Sequence, residues 1–452
     1  MVLNLMNKCE SISNKLSKED LDQYEVFGSN LSSISLNMEK NSIKEFTESI
    51  DIGFSIRIIK NNRIGFAYST SFSNDKIKDL IKRAIKFAKM GKPDKDFQSL
   101  PLNKEYKELK NLFDPKLRNI DPDIVINNIN IIADSANKNE KVHSISAGIS
   151  VDIFNEVILN SNDVKGTTEN TQIDLWVNVT TKDGTKTGSS FDFQNSRFLK
   201  EINPEKLGSR ASDLALKSLK AKKLKTQRLP VIFHPIAVSK ICGTGIGAAI
   251  NAEAIQYQQS YLTDMLGEKL MREDFLIEDD GQYIKKNGMA GIGTKPFDAE
   301  GYPTQKTVIF EKGILKNYLH NSYTSNKVNT KNTGNAHRIG YRSPPSISYN
   351  NLIFHSGKDG KLSDLIEDTQ EGVILYYTGD RPNLITGDLS AMIHTGFYIK
   401  GGEITTGIKN TTLGINMLDF FKNIDLIGSE IENVGSVSCP PIKVSNIKIS
   451  GA

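Results

Sequence analysis

The stretch Ile52–Tyr68 reads IGFSIRIIKNNRIGFAY, with apolar side chains at every second position on both sides of Asn61-Asn62. A period of two is typical of a half-buried β-strand. Asparagine tolerates the positive φ angles that a tight turn requires. The stretch therefore predicts a β-hairpin with one apolar face, which must be covered by other elements.

The sequence around this hairpin predicts helices that can cover such a face. Apolar residues recur at helical spacing over 77–88. Asp121-Pro122 and Asn203-Pro204 are typical helix starts, because the first residue caps the helix and proline fits its first turn. A second alternating stretch, 173–179, runs into Asp183-Gly184 and predicts a second hairpin.

The C-terminal half has a different pattern, with many short strand-like runs separated by glycine-containing turns from Met289 onward. This pattern predicts a large curved antiparallel sheet or a partly closed barrel. Lys220–Arg228 has the composition of a linker. We therefore predict an α+β fold with two domains, an N-terminal α/β region of hairpins and helices at 20–222 and a β-rich region at 229–452.

The composition excludes several classes of protein. The 452 residues include 57 basic and 53 acidic side chains, a net charge of +4 that does not indicate a nucleic-acid binder. Three scattered cysteines favour a reducing compartment over a disulfide framework. No apolar run is long enough to span a membrane, and no secretory signal is visible. The expected location is the cytoplasm.

The histidines exclude one kind of metal site. The chain has six histidines, none of them followed by glutamate, and the shortest gap between neighbours is the 17 residues from His320 to His337. A helix presents two imidazoles to one zinc ion only when they lie about 4 or 5 residues apart. The sequence therefore predicts no helical two-histidine zinc site and no metal bound by this chain alone.

A first candidate site lies in the segment Phe297–Thr304. Asp298 and Glu300 would point the same way on a strand, and paired carboxylates can serve as acid and base. Alternatively, the segment is a loop whose carboxylates accept hydrogen bonds from backbone amides while Gly301 sets the turn. The residues alone leave both interpretations open.

Two further clusters follow. Asn335, His337 and Arg338 in Thr333–Arg338 could bind a peptide or a carboxylate, or could belong to a structural loop. Asp388 lies in Thr386–Ser390, where Ser390 with His394 suggests a nucleophile and a base. A hydroxyl and an imidazole four residues apart are also common by chance, and Cys242 is an alternative nucleophile for a hydrolase of this kind.

These clusters in this order, together with the N-terminal hairpin and the ending Cys439-Pro440-Pro441, resemble the TldD/PmbA family over nearly the whole chain. The resemblance implies a β-rich, peptidase-like C-terminal domain. TldD-type members carry H-E-x-x-x-H on a helix, with a C-terminal cysteine as a further zinc ligand. PmbA-type members, also called TldE, lack the histidines and pair with a TldD-type subunit. The implied complex is a zinc-dependent peptidase that trims unfolded peptides in an internal cavity.

The resemblance also places this chain within the family. Gly243, Thr244 and Ala248 stand where the zinc motif would have His, Glu and His, while Cys439 resembles the family's cysteine. One thiolate cannot form a catalytic zinc site, which usually takes three protein ligands. The chain is thus expected to be a PmbA/TldE-like subunit with no catalytic residues of its own, active only beside a zinc-bearing TldD-type partner.

For such a subunit, the candidate peptide-binding or interface residues are Asp298, Glu300, Gly301, Asn335, Arg338 and Asp388. The expected partners are the TldD-type subunit and unfolded peptides, without nucleic acid or membrane. The alternative function is a peptide-binding or regulatory protein with no proteolytic role.

Overall fold

The computed structural model describes residues 2–451 and confirms the predicted α+β class. Ala452, the last residue of the predicted C-terminal domain, lies outside the described residues. The N-terminal half consists of one long-stranded sheet with helices on one face. The C-terminal half consists of shorter strands in several sheets around a larger core.

The N-terminal sheet is antiparallel throughout and curls into a half-barrel with the order β3-β2-β1-β4-β5-β6. Its strands are β1 (Gln23–Glu39), β2 (Ser42–Lys60), β3 (Arg63–Ser69), β4 (Val142–Asn160), β5 (Lys165–Asp183) and β6 (Lys186–Ser196). The helices of this half are α1 (Val2–Leu16), α2 (Asn74–Met90), α3 (Pro115–Arg118), α4 (Pro122–Ala136) and α5 (Pro204–Ser218), with a 3-10 turn at Leu199–Glu201.

Both predicted hairpins are confirmed. Strands β2 and β3 pair around Asn61 and Asn62, whose φ angles are 50° and 55°. Strands β5 and β6 pair around Gly184, whose φ angle is 59°. Positive φ is inexpensive for glycine and tolerated by asparagine, so these residues fix the turns and with them the strand register.

The helices cover one face of this sheet, as the hairpin pattern requires. The predicted caps are confirmed at Asp121 and Asn203, whose side chains accept hydrogen bonds from the first turns of α4 and α5. Helix α1 packs over β1 and β4, and α2 packs over β2 and β3. Helix α4 packs mainly over β4, and α5 packs over β5 and β6. The opposite, concave face is left for the C-terminal half.

The C-terminal half contains an eight-stranded sheet and a six-stranded sheet. Its strands are β7 (Gln227–Phe233), β8 (Ile277–Asp280), β9 (Lys306–Glu311), β10 (Ile314–Leu315), β11 (Ala336–His337), β12 (Ser346–Ile347), β13 (Leu352–Phe354), β14 (Glu371–Tyr377), β15 (Asp388–Met392), β16 (Thr395–Lys400), β17 (Glu403–Gly407), β18 (Thr411–Asn416), β19 (Ile424–Ile427), β20 (Glu432–Val434), β21 (Val437–Cys439) and β22 (Ile442–Gly451). Its helices are α6 (Pro235–Val238), α7 (Thr244–Ala249), α8 (Ala252–Gln256), α9 (Ser322–Lys327), α10 (Leu362–Glu367) and α11 (Met417–Lys422), with a π-helical turn at Ser239–Gly243.

Pairing in these sheets is antiparallel except at β7–β14 and β13–β21. Each exception joins strands that are far apart in sequence. Parallel neighbours need a long crossover connection, so adjacent hairpin strands cannot form them. The largest core cluster of the molecule lies between these sheets and the helical segment that starts at Pro235.

A small apolar cluster joins the two halves. Phe27 and Ile158, on the concave face of the half-barrel, pack with Phe297 and Tyr341 of the C-terminal half. Polar residues surround this contact, and the candidate site lies among them. Among residues 2–451, the helices are all too short or too polar to cross a membrane.

Candidate functional site

The helical segment 235–249 contains Gly243, Thr244 and Ala248, the positions where the family resemblance places a zinc motif. A Cβ atom on Gly243 would lie 2.8 Å from Cγ2 of Val437. The Thr244 hydroxyl donates to the carbonyl of Lys240, and Ala248 has only a methyl group. At these three positions, the backbone packs closely or the side chain bonds within the helix, and no side chain is available to bind a metal ion.

Cys439 is the remaining candidate ligand. It is fully buried, its thiol donates to the Pro235 carbonyl at 3.3 Å, and burial raises its pKa well above the usual range. A zinc ligand must be a thiolate, which this environment disfavours. Within residues 2–451, no three His, Cys, Asp or Glu side chains are grouped so that they could hold a metal ion. The residues present therefore do not fit the zinc centre of a TldD-type chain.

A cavity of about 610 Å³ lies in front of this helical segment, between the concave face of the half-barrel and the C-terminal loops. This size is within the range of small-molecule and peptide pockets. The ring of Tyr349 lines the cavity and also packs on the helix, since a Cβ on Gly247 would lie 2.4 Å from that ring. The cavity wall and the helix that lacks zinc ligands are thus in direct contact.

The loop that contains Asp298 supports the cavity wall. One Asp298 oxygen accepts hydrogen bonds from the amides of Glu300 and Tyr302, both at 2.9 Å, and the other accepts from the Ala336 amide at 3.0 Å. Gly301 occupies the turn with a φ angle of 79°. The structure therefore has the loop geometry and not the strand that would align both carboxylates, and it holds Asp298 against backbone donors.

Asn335 lies behind the same wall. Its side-chain amide donates to Asp279 at 2.6 Å and to the Ser348 carbonyl at 3.0 Å. Asp279 also accepts from the backbone amide of Asn350 at 2.7 Å, and burial raises the pKa of this aspartate to about 7. These bonds fix the segment 348–350, which faces the cavity.

Glu300 and Arg338 belong to a buried ion network that joins the two halves of the molecule. Arg57 on β2 donates to Glu25 on β1 at 2.6 Å and to Glu300 at 3.0 Å. Arg338 pairs with the second oxygen of Glu25, and its guanidinium also lies 4.8 Å from the ring centre of Phe27. We call Glu25, Arg57, Glu300 and Arg338 the buried network. Arg338 is its member that also lines the cavity.

Arg197 fixes another part of the wall from the N-terminal half. Its guanidinium donates to the carbonyls of Gly291 and Thr294 at 2.8 Å and of Ile292 at 2.5 Å. It is 97% enclosed without a carboxylate partner, and burial lowers its pKa to about 10. The loop 291–294 is therefore fixed by the Arg197 guanidinium. Among the described residues, this charge is stabilised by hydrogen bonds to backbone carbonyls and not by an ion pair.

The other candidates from the sequence lie elsewhere. Asp388 is exposed at the start of β15, where it accepts from Asn416 at 2.9 Å, and it does not line the cavity. Ser390 is on the same exposed strand, and no hydrogen bond to His394 is present among the described residues. Cys242 is buried, and burial raises its pKa well above the usual range, so its thiolate is disfavoured.

Glu156, Lys295 and His337 also line the cavity. The cluster with Asn335 and Arg338 indicated His337, whereas no sequence pattern indicated Glu156 or Lys295. Burial raises the pKa of Glu156, and the charges of Lys295 and Arg338 partly oppose this effect. Desolvation and the Lys295 charge lower the pKa of His337, so this ring is neutral near pH 7. Only the tertiary fold brings these three residues together, because they come from β4, from the loop between β8 and β9, and from β11.

The chain is similar to known proteins over nearly its whole length. Residues 24–88, 115–219 and 226–451 match the PmbA/TldA metallopeptidase domain 1, central domain and C-terminal domain, respectively. The chain is 27% identical to a metalloprotease PmbA homolog of Buchnera aphidicola over 99% of this chain and 97% of that protein. It is 26% identical to a metalloprotease TldD homolog of the same organism over 92% of this chain and 89% of that protein.

A solved structure has the same fold. TldE from Thermococcus kodakarensis superposes with a TM-score of 0.85 at 23% identity, covering 99% of both chains. Since the C-terminal domain match alone spans half of the sequence, the chain belongs to the PmbA/TldA metallopeptidase family.

Proposed function

We propose that this chain is a PmbA/TldE-like subunit without a zinc site of its own, which assembles with a zinc-bearing TldD-type subunit of the same family. The complex would degrade or trim unfolded peptides, and this chain would contribute peptide binding and assembly. The observation that carries the proposal is the helix of Gly243, Thr244 and Ala248, which keeps its place beside the cavity but has no ligand atoms.

The cavity supports a role in peptide binding. Its walls combine apolar surface from Leu31, Phe154 and Tyr349 with charged groups of both signs. Polar and charged groups placed beside apolar surface can orient a bound ligand. Because the buried network and Arg197 hold the wall, the cavity is preformed, which reduces the entropy cost of binding.

The test is to purify the chain alone and together with a TldD-type subunit, and to measure zinc content and hydrolysis of an unfolded peptide in each sample. We expect zinc and hydrolysis only in the co-purified complex. As a control, the TldD-type subunit with both motif histidines replaced by alanine should still assemble but should be inactive. Stoichiometric zinc or hydrolysis in the isolated chain would contradict the proposal.

A non-proteolytic peptide-binding protein is the second candidate, because the cavity does not depend on a metal. The same experiment separates the two functions. Stable peptide binding by the chain without any association with a TldD-type subunit would favour this alternative.

A further inference from the structure

Two charged side chains that line the cavity, Glu156 and Lys295, form no direct hydrogen bond or ion pair with other side chains within residues 2–451. Glu156 follows Asn155 on β4, on the same face as Ile158, which packs with Phe297 of the C-terminal half. Strand alternation therefore directs Glu156 toward the cavity and away from the helices. Its carboxylate is half-buried and forms no hydrogen bond or ion pair with the residues that the structure describes.

Lys295 is in the same situation on the opposite wall. Its backbone is fixed, because its amide donates to the Gly281 carbonyl at 2.9 Å and its carbonyl accepts from the Thr304 hydroxyl. Its side chain is half-buried, and its ammonium group has no ion pair within residues 2–451. The charge of Lys295 acts on both Glu156 and His337, so all three share one electrostatic environment.

A charge that is partly removed from water and has no direct ion pair or hydrogen bond gains from a ligand that supplies one. Glu156 and Lys295 have opposite signs and line the same cavity, and no ion pair joins them within residues 2–451. A ligand that carries a separate positive and a separate negative end would satisfy both. Among the products of a peptidase, a short peptide with free termini has this chemistry.

We propose that the cavity binds a short peptide by its two charged ends, with Glu156 receiving the terminal ammonium and Lys295 the terminal carboxylate. The choice of a peptide, and not of another zwitterion, rests on the proposed function. Leu31 and Phe154 lie beside Glu156 on the half-barrel wall, Tyr349 lies on the C-terminal wall, and all three would contact the side chains between the ends. The chain would then select peptides by their free ends and not by their sequence.

The test uses the isolated full-length chain and the tripeptide Ala-Leu-Ala in four forms, which are free, N-acetylated, C-amidated and blocked at both ends. Binding is measured by isothermal titration calorimetry. We expect each block to weaken binding roughly tenfold or more, since each removes a charge-assisted contact. The doubly blocked form should bind weakest.

Two variants assign the ends. In Glu156→Gln, N-acetylation should no longer matter while C-amidation still weakens binding. In Lys295→Met, the reverse should hold. Glu311→Gln and Lys286→Met change exposed charges away from the cavity and should bind like the unmodified chain.

Equal binding of the free and doubly blocked peptides, or no binding of the free peptide at millimolar concentration, would overturn the inference. The peptide series on the unmodified chain gives this result even if a variant does not fold.

The outcome is also separate from that of the proposed function. A complex that hydrolyses peptides while the isolated chain ignores peptide ends refutes only the inference. Binding by peptide ends without assembly with a TldD-type subunit refutes only the proposed function.

Discussion

Two sets of charged side chains lie in the same region of the molecule, and they differ in whether they form ion pairs. Behind the wall, the buried network places two glutamates against two arginines, so that every charge has a partner of opposite sign. In the cavity, Glu156 and Lys295 also have opposite signs. Neither side chain forms an ion pair, with the other or with any other described residue. Paired charges hold the two halves together, whereas unpaired charges are available to a ligand.

This difference follows from where the charges are. Glu25 and Arg338 are almost completely removed from water, and an isolated charge there would be prohibitively costly. Glu156 and Lys295 keep contact with the solvent of the cavity, so they persist without partners. Variants at the two locations should therefore separate stability from binding.

The largest effect is expected for Arg338→Met. This change removes one arginine from the buried network and leaves Glu25 with a single cation, Arg57. Loss of one partner of a buried pair typically costs about 3–5 kcal/mol. We expect a large drop in the unfolding midpoint, measured by circular dichroism and by the fluorescence of the single tryptophan, Trp176.

Arg342→Met is the matched control. Arg342 also pairs with an aspartate of the N-terminal half, Asp51, but both side chains of this pair are about half exposed. Exposed pairs contribute about 0–1 kcal/mol. Equal losses of stability in the two variants would mean that burial does not distinguish the network from a surface pair.

Arg197→Met should have the next largest effect. The change removes a charged donor from three carbonyls of the loop 291–294, at a cost of about 3 kcal/mol. The Gly291 carbonyl keeps the Thr294 amide as a donor, whereas the carbonyls of Ile292 and Thr294 lose their side-chain donor. Hydrogen exchange in this loop should accelerate more than in the half-barrel. Arg228→Met, which removes one exposed bond to the Asn446 carbonyl, should change the midpoint little. An unchanged exchange rate in the loop would show that Arg197 does not hold it.

Local sequence signals were sufficient for the hairpins and for the three helices α2, α4 and α5. Asn61-Asn62 and Gly184 set turns through their φ angles, and Asp121 and Asn203 cap helices, all within a few residues. Such features depend on short-range sterics and hydrogen bonds, which a sequence displays directly. The parallel pairs in the C-terminal half could not be predicted, because they depend on crossovers between distant strands.

Helix α1 was not predicted, although its signal was present. Leu5, Cys9, Ile12 and Leu16 recur at a spacing of three or four residues and are buried against the sheet. For the site, the segment of Asp298 admitted two interpretations, and only the tertiary contacts from the Ala336 amide and the turn decide between them.

No local sequence pattern indicated the two charged residues of the cavity, Glu156 and Lys295. Glu156 is one polar residue on an alternating strand, and Lys295 is one residue in a loop. Their relation arises only when the half-barrel is closed by the C-terminal half. Residues that come together only across a cavity are therefore the hardest to predict from a sequence pattern.

A smaller effect, dependent on pH, is expected for Asp174→Asn on the concave face. Burial, and next to it the charge of Asp152, raises the pKa of Asp174 from 3.8 to about 6. The folded state then binds this proton more tightly than the unfolded state, so stability is fully present below pH 3.8 and is lost as pH rises through about 6. The variant should be more stable than the unmodified chain at pH 7.5, by on the order of 1 kcal/mol, and should show no gain at pH 3.5.

Asp183→Asn, on the same strand, is the control for this pH dependence. Asp183 is exposed, and a hydrogen bond from Lys141 lowers its pKa, so its neutral replacement should bring no gain at pH 7.5. A gain in both variants would point to net charge and not to the burial of Asp174.

The smallest change in stability is expected for Glu156→Gln. Because Glu156 has no ion pair to lose and burial raises its pKa, the neutral side chain should leave the unfolding midpoint unchanged or slightly higher near pH 7, within about 0.5 kcal/mol. Glu25→Gln, a change of the same chemistry on the neighbouring strand, should lower the midpoint strongly because it leaves Arg57 and Arg338 facing a neutral group. Thermal unfolding of both variants in one buffer measures the difference directly. If Glu156→Gln destabilises the chain as much as Glu25→Gln, then the Glu156 carboxylate is part of the structural network and is not free for a ligand.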